Sequence, residues 1–384
     1  MTTDEHSLRT FDYQRFFRDM TDPERLQLSK DEIDWIRGYP GPEGTAEVSL
    51  NLSCGVQRSP HIMLIQVAIL RALGVDFVAT AGQAYCCGNV FNRTGRPEQA
   101  HRMARNSIRR FASWQPKVNV QSCGSCLVQF TENVDAIKAE TGSSPFPVVH
   151  FTDFVLDTLK RLGDEVPWKR TTRRRVLLHA EGAEVHATKE QARNAIIETL
   201  ALIPGVEYAG LVADPSLGLP CRVKGGDHSV SGKMGNSTSR FMLEDITPQQ
   251  YRQVQAELED HARAARADAI ITPHFTCQKE WSKFGSDRLP IMYYGTLVAE
   301  ALGIDIPDRF QMLWRQGDPE KVLELTRPHW ESWNITEPEA RDLVQRFFVP
   351  EYASAVDRCP CEGNCFETRI EGGTLTSLNR GLAG

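Results

Sequence analysis

From residue 45 onward, short β-prone runs alternate with stretches of helical periodicity. Ala46–Ser53 reads as extended and ends at Cys54. Pro60–Leu73 reads as a helix, with Gly74 as its stop signal. Asp76–Thr80 is a strand, and the loop Ala81–Asn92 holds Gly82, Cys86, Cys87 and Gly88. Pro97–Phe111 is a helix with a proline in its first turn. Lys117–Gln121 is a strand that runs into Cys123-Gly-Ser-Cys126, followed by a helix over Leu127–Glu140. A strand over Phe146–Phe151 and a helix over Thr152–Leu162 close the series. Strands alternating with helices predict an α/β layer of mostly parallel strands.

The series then repeats. Val176–His179, Val206–Ala213, Ala269–Pro273 and Pro290–Tyr294 read as strands. Lys189–Leu202, Pro248–Ala267, Gln278–Phe284 and Gly295–Leu302 read as helices between or after them. A Gly-rich loop, Pro215–Ser239, carries Cys221, and His274-Phe-Thr-Cys277 follows the third strand. This is a long-period duplication, unlike the short period of a solenoid. Gly163–Arg175 reads as a linker whose arginines are solvated. The expected organisation is therefore α/β: two tandem, pseudo-symmetric α/β domains with helical extensions. The boundaries are 1–44 for the N-terminal extension, 45–165 and 166–306 for the two domains, and 307–384 for the C-terminal extension. Within the extensions, helices are expected over Tyr13–Met20, Lys30–Arg37, Glu320–Leu325 and Glu337–Phe348, with Trp314, Trp330, Trp333, Phe347 and Phe348 making core or subunit contacts.

Composition narrows the function. The net charge of −6 argues against nucleic acid or an anionic membrane as partner. The longest apolar stretch, Ile62–Leu70, falls far short of the ~20 residues needed to span a bilayer. The first residues lack the apolar core of a secretory signal, so the expected compartment is the cytoplasm. Ser231-Gly-Lys-Met234 lacks the glycine and hydroxyl positions of a phosphate loop. No G-x-G-x-x-G follows a strand, so no nucleotide cofactor is read.

Ten cysteines in a reducing compartment need a reason other than disulfides. Five stand in three groups, each at the end of a predicted strand or in the loop after it. Cys54 is followed by 31 residues and then Cys86-Cys87-Gly88; 35 residues separate Cys87 from Cys123-x-x-Cys126. Strand ends are where α/β sheets hold ligands. Structural zinc needs four thiolates and leaves one over. The adjacent pair needs a turn to aim both sulfurs at one place, and Gly82 and Gly88 supply the backbone freedom.

This pattern resembles the cysteine-rich "CCG" domain, found in the B-type subunit of heterodisulfide reductase and in related glycolate, lactate and glycerol-3-phosphate oxidoreductase subunits. The resemblance spans roughly residues 45–306, and that family usually carries two tandem copies. It implies two CCG-type domains, the first binding a non-cubane [4Fe–4S] cluster through Cys54, Cys86, Cys87, Cys123 and Cys126. It also implies cleavage or formation of a disulfide at iron, with a small thiol or disulfide as substrate.

The second copy departs from the pattern. Gly182 falls opposite Cys54, Cys221 at the double-cysteine position, and His274 and Cys277 at the C-x-x-C position. His179, Glu181, Glu184, His186 and His228 lie nearby in sequence. The tail triplet Cys359, Cys361 and Cys365 is a candidate to complete a second site with Cys277 or Cys221, to form its own, or to cap the first. A second Fe–S cluster, zinc and a bare scaffold all stand as readings of this half. The candidate catalytic residues are Cys87, His274 and Glu181, the latter two as proton donors. The tail spacing is not that of a ferredoxin run. Electrons are therefore expected from an electron-transfer protein or a flavoprotein or iron–sulfur subunit; oligomerisation stays open. Two other readings remain: an electron-transfer subunit with no substrate of its own, and a metal-stabilised scaffold.

Overall fold

The computed structural model describes residues 12–33, 43–179, 187–213, 215–216 and 247–349. Its centre is a pair of four-stranded, all-parallel sheets. The first contains β1 (Val48–Asn51), β2 (Phe77–Thr80), β3 (Val118–Gln121) and β4 (Val148–His150) in the order β2-β1-β3-β4. The second contains β5 (Arg174–Leu178), β6 (Val206–Leu211), β7 (Ala269–Thr272) and β8 (Ile291–Tyr293) in the order β6-β5-β7-β8. The expected tandem α/β arrangement is what the chain forms.

Parallel neighbours require a crossover, and helices supply it. His61–Ala72 returns the chain from β1 to β2, Pro97–Ala112 from β2 to β3, and Gly124–Thr141 from β3 to β4. After β2 the chain passes back over β1 to lay β3 on its other side. The ends of β1 and β3 thus flank a topological switch point, where loops diverge and leave a crevice. β5 and β7 flank the same point in the second sheet.

The registers fix the internal correspondence. Val48 pairs with Val118 in the first sheet, and Val176 with Ala269 in the second. Counting from those pairs, His274 falls at the place of Cys123 and Cys277 at that of Cys126, while Gly182, expected opposite Cys54, lies outside the described residues. His150 and Tyr293 likewise end the fourth strand of each sheet.

One apolar core serves both halves. Leu50, Ile65 and Ile69 of the first half and Val176, Ile271, Tyr294 and Leu297 of the second belong to a single buried cluster. The helix His61–Ala72 buries every residue from His61 to Leu70, which only a position between two layers permits. A buried hydrogen bond crosses the seam, from Gln66 Nε2 to the Tyr293 hydroxyl at 3.0 Å. A second cluster joins the second sheet to the C-terminal helices Arg309–Gln316, Pro319–Ser332 and Glu337–Phe347. Trp314, Trp330, Phe347 and Phe348 are buried there, and Trp333 packs against the shared core.

The N-terminal segment straps these parts together. Arg309 forms an ion pair with Glu32 at 2.7 Å and donates to the Gln27 carbonyl at 2.6 Å. Trp333 Nε1 donates to the Leu28 carbonyl, and Gln27 Nε2 to that of Arg58. Leu26 and Leu28 are fully buried; each contributes roughly 2–3 kcal/mol of transfer free energy.

The expected linker ends sooner than its composition suggests. Arg174 and Arg175 already belong to β5, the central strand, where Arg175 pairs with Glu207 and Arg174 with Glu300. Both arginines stand at the start of the strand and are half-buried, so their charge is compatible with pairing there. The helix expected from Leu127 begins at Gly124, and short helices over Asn89–Arg93 and Glu24–Gln27 appear where the sequence pattern predicts none. The helix Arg309–Gln316 is likewise additional, although Phe310, Leu313 and Trp314 have helical spacing. The helix from Lys30 is described to Ile33; its expected remainder lies outside the described residues. No described helix is long and apolar enough to cross a membrane.

Candidate functional site

The five cysteines converge at the switch point of the first sheet. β1 ends at Asn51, and Ser53 turns the chain with a φ of 66°. That is left-handed backbone at a non-glycine residue, a conformation that costs of order 1–3 kcal/mol and persists only where surroundings enforce it. The Ser53 N–H donates to Asn51 Oδ1, and Asn51 Nδ2 donates to Gln121 Oε1 across to β3 at 2.8 Å. Asn119 Nδ2 donates to Ser49 Oγ at 2.7 Å one step below. This buried amide ladder locks the two strand ends that present Cys54 and Cys123. Cys54 then caps a short 3-10 turn, Gly55–Arg58.

Cys86 and Cys87 are aimed by the turn their glycines predict. Gly82 and Gly88 have φ of 84° and 81°. The Gly88 N–H donates to Cys86 Sγ at 3.3 Å, and Ser107 Oγ donates to the Cys86 carbonyl. A Cβ on Gly88 would sit 2.5 Å from the Ala100 carbonyl oxygen, so only glycine fits. Cys123 is the N-cap of the helix Gly124–Thr141, and Cys126 lies in its first turn. The positive end of that helix favours thiolate character.

The five thiols form one unbroken row of electrostatically coupled neighbours: Cys54 with Cys86, Cys86 with Cys87, Cys87 with Cys126, and Cys126 with Cys123. Cys86, Cys87 and Cys126 are buried, while Cys54 and Cys123 keep partial exposure. The row divides the thiols into donors and acceptors. Cys87 is held below the usual thiol range by hydrogen bonds from Cys126 and Cys86, against the effect of burial. Cys123 is lowered by the Cys126 thiol, with help from the backbone N–H groups of Cys126 and Ser125. Cys54 and Cys126 are pushed well up, first by donating to their neighbours and then by burial. Among the described residues, no group of three or more His, Cys, Asp or Glu is set as a ready-made single-ion site. The set contains five sulfurs, one more than the four donors that a tetrahedral ion takes.

The second half lends a wall to this site. The helix Phe275–Trp281 begins beside the Cys54 turn, and a Cβ on Gly55 would lie 2.7 Å from the Phe275 ring. His274 caps that helix; its Nδ1 accepts from the Thr276 N–H at 3.2 Å and its Nε2 lies 3.5 Å from Cys277 Sγ. His274 also faces Cys123 and the buried His150 electrostatically. Cys277 is fully buried, and the His179 ring packs on Trp281 at 4.1 Å. Of the remaining candidates, Glu181, Cys221, Cys359, Cys361 and Cys365 lie outside the described residues, as do Glu184, His186 and His228.

Five neighbours of the site do not stand out in the sequence. His150 ends β4 and, through burial, is lowered to about 4. Arg58 stands four residues after Cys54, Lys279 and Glu280 follow Cys277, and Lys283 lies one turn beyond. Only the His150 position, at a strand end, carries a readable signal; the charged residues look like an ordinary solvated helix face.

Residues 49–131 match the family model described as CCG, the cysteine-rich domain. The resemblance read from cysteine spacing is borne out for this stretch, which contains all five thiols. Similar curated proteins include the D subunit of the dihydromethanophenazine:CoB--CoM heterodisulfide reductase from Methanosarcina barkeri. It is 22% identical over 260 residues, which cover 64% of this chain and 61% of that relative. The counterpart from Methanosarcina mazei is 25% identical over 158 residues, 40% of this chain and 38% of the relative. The matched part thus spans at most about three-fifths of these relatives. The likenesses are thus to a cysteine-rich domain and to subunits of a heterodisulfide reductase.

Proposed function

We propose that Cys54, Cys86, Cys87, Cys123 and Cys126 hold a non-cubane [4Fe–4S] cluster and that the chain is a heterodisulfide-reductase-like oxidoreductase acting on sulfur. The observation that carries this reading is the unbroken five-sulfur row drawn from three loops at one switch point. The donor set suits the group: all five donors are thiols, and two of them, Cys87 and Cys123, already lean toward thiolate. When bound, such a cluster supplies an iron position for a substrate sulfur and passes electrons singly.

The chain's own residues supply the rest. Cleaving R–S–S–R′ to two thiols takes two electrons and two protons. Because the Nδ1 of His274 accepts a backbone hydrogen bond, its neutral ring carries its proton on Nε2, facing Cys277 Sγ. His274 is thus a proton donor at the edge of the row, held by its cap position. Apolar packing keeps water from the buried sulfurs: Cys87 and Cys126 lie among Tyr85, Phe111 and Phe130, and Cys86 lies against Val90 and Phe91. The electrons come from a partner protein carrying a flavin or iron–sulfur centre, a reading supported by the relatives' being components of a reductase.

Anaerobic purification followed by iron and acid-labile sulfide analysis tests the reading. Near-equal iron and sulfide, with a paramagnetic signal perturbed by an added thiol or disulfide, is the expected result. Zinc without sulfide would overturn it. A cluster signal that no thiol or disulfide perturbs would leave an electron-transfer role instead.

A further inference from the structure

Charged side chains lie buried where the two halves meet beside the cysteine row. Arg58 is 4% exposed, and Lys279, Glu280 and Lys283 are 2% exposed each. Removing a charge from water costs several kcal/mol per ion after relaxation, so such groups need counter-charge. One carboxylate, Glu280, faces all three cations. It lies 2.7 Å from Lys283 Nζ and 3.6 Å from Lys279 Nζ, and it faces Arg58 electrostatically. Lys279 Nζ makes no hydrogen bond and lies 5.6 Å from the centre of the Phe310 ring. Burial pushes its ammonium far below the usual lysine range, with Glu280 opposing. Asp19 also faces Arg58, but Asp19 is already paired with Arg346.

Arg58 also faces the sulfurs of Cys54 and Cys123 electrostatically. The chain holds this arrangement rigidly. Cys54 and Arg58 bracket one 3-10 turn. Arg58 Nε donates to the Gly55 carbonyl at 3.4 Å, and the Arg58 carbonyl accepts from Gln27 Nε2 at 3.2 Å. Gly55 also abuts the Phe275 ring, and a Cβ there would lie 3.8 Å from an Arg58 guanidinium nitrogen. A guanidinium keeps its charge at any working pH, unlike the buried lysine beside it.

We propose that Arg58 is the fixed counter-charge of the five-cysteine site and sets the reduction potential of the group held there. The proposal rests on the iron–sulfur reading. A positive charge buried beside the thiolates stabilises the more negative, reduced state and raises the midpoint. Glu280, which binds the same cations, acts in the opposite sense. Arg58 is therefore a positioning residue that acts through the ligand sulfurs and touches no substrate.

The test is a redox titration of the full-length, anaerobically purified chain, followed by electron paramagnetic resonance. Iron and sulfide content are measured first for every variant. Arg58→Gln should disfavour the reduced state about tenfold, a fall of about 59 mV for one electron. Arg58→Lys, which keeps a cation, should recover most of that shift. Glu280→Gln should move the midpoint upward. A purely structural role would lower stability without opposite-signed shifts in potential. Arg58→Gln with full iron and sulfide and an unmoved midpoint overturns the proposal, as do shifts of one sign in both variants. If Arg58→Gln does not load, the sign of Glu280→Gln decides alone: upward supports the proposal, and no shift or a fall overturns it. A wild-type chain without iron and sulfide overturns the iron–sulfur reading itself, at a step before any potential is read.

Discussion

The two sheets share an order, a register and a switch point, yet their corners differ in chemistry. The end of β1 and the first turn after β3 present Cys54, Cys123 and Cys126. At the places of Cys123 and Cys126 the second half has His274 and Cys277, and His179 follows β5 where Asn51 ends β1. The first corner gathers sulfur. The second presents an imidazole–thiol pair and turns its helix start toward the first. Duplication thus preserved a platform, while the few residues at strand ends determine what each corner can hold. This is the general behaviour of α/β folds, in which function resides in loops on a common scaffold.

The sharpest way to break the comparison is to remove one sulfur from each corner. Cys87→Ser should abolish or convert the bound cluster while the fold survives, seen as loss of most iron and sulfide with unchanged far-ultraviolet circular dichroism. Cys277→Ser should leave iron and sulfide at the first corner intact. Equal losses in both variants would mean that the corners form one site.

Next in size is the backbone that aims the double cysteine. Gly88→Ala meets both a φ of 81° and the Ala100 carbonyl at 2.5 Å, so it should cost on the order of 3 kcal/mol or more. Gly142 has the same φ with open space around it, so Gly142→Ala should cost only about 1 kcal/mol. Thermal unfolding of the two variants separates the effect of close approach from that of φ alone.

The fourth strands differ in a titratable group: His150 in the first sheet and Tyr293 in the second. His150 is lowered to about 4 by burial, from an ordinary value near 6.5. Between those values the unfolded chain binds the proton and the folded chain does not. Stability is therefore whole above about pH 6.5 and falls as the pH drops toward 4, by up to roughly 3 kcal/mol. His150→Gln should flatten that slope in denaturant midpoints measured from pH 7 to 4. A slope unchanged in the variant would assign the acid sensitivity elsewhere. The smallest effect is expected at the seam: Tyr293→Phe removes the hydrogen bond from Gln66 and should cost about 1 kcal/mol, read as a small fall in melting temperature.

Much of this is legible in the chain. Alternating strand and helix periods, the stop at Gly74, the start at Pro97, and the repeated order predict the two parallel sheets, because backbone hydrogen bonding and apolar periodicity are local. The five-cysteine set is legible because loop cysteines flanked by glycine have few other uses. Helix starts are harder. Gly124 has the local signature of a loop, because its helix is held by packing more than by propensity.

What the sequence determined by itself was the donor set and the scaffold that carries it. Tertiary structure alone decided that the sulfurs form a row, that the second half's His274 and Phe275 wall it, and that Arg58, Lys279, Glu280 and Lys283 are buried beside it. The reason is physical: charge burial depends on which surfaces meet across hundreds of residues. A Lys-Glu pair on a helix carries the same local signal whether it faces water or a core.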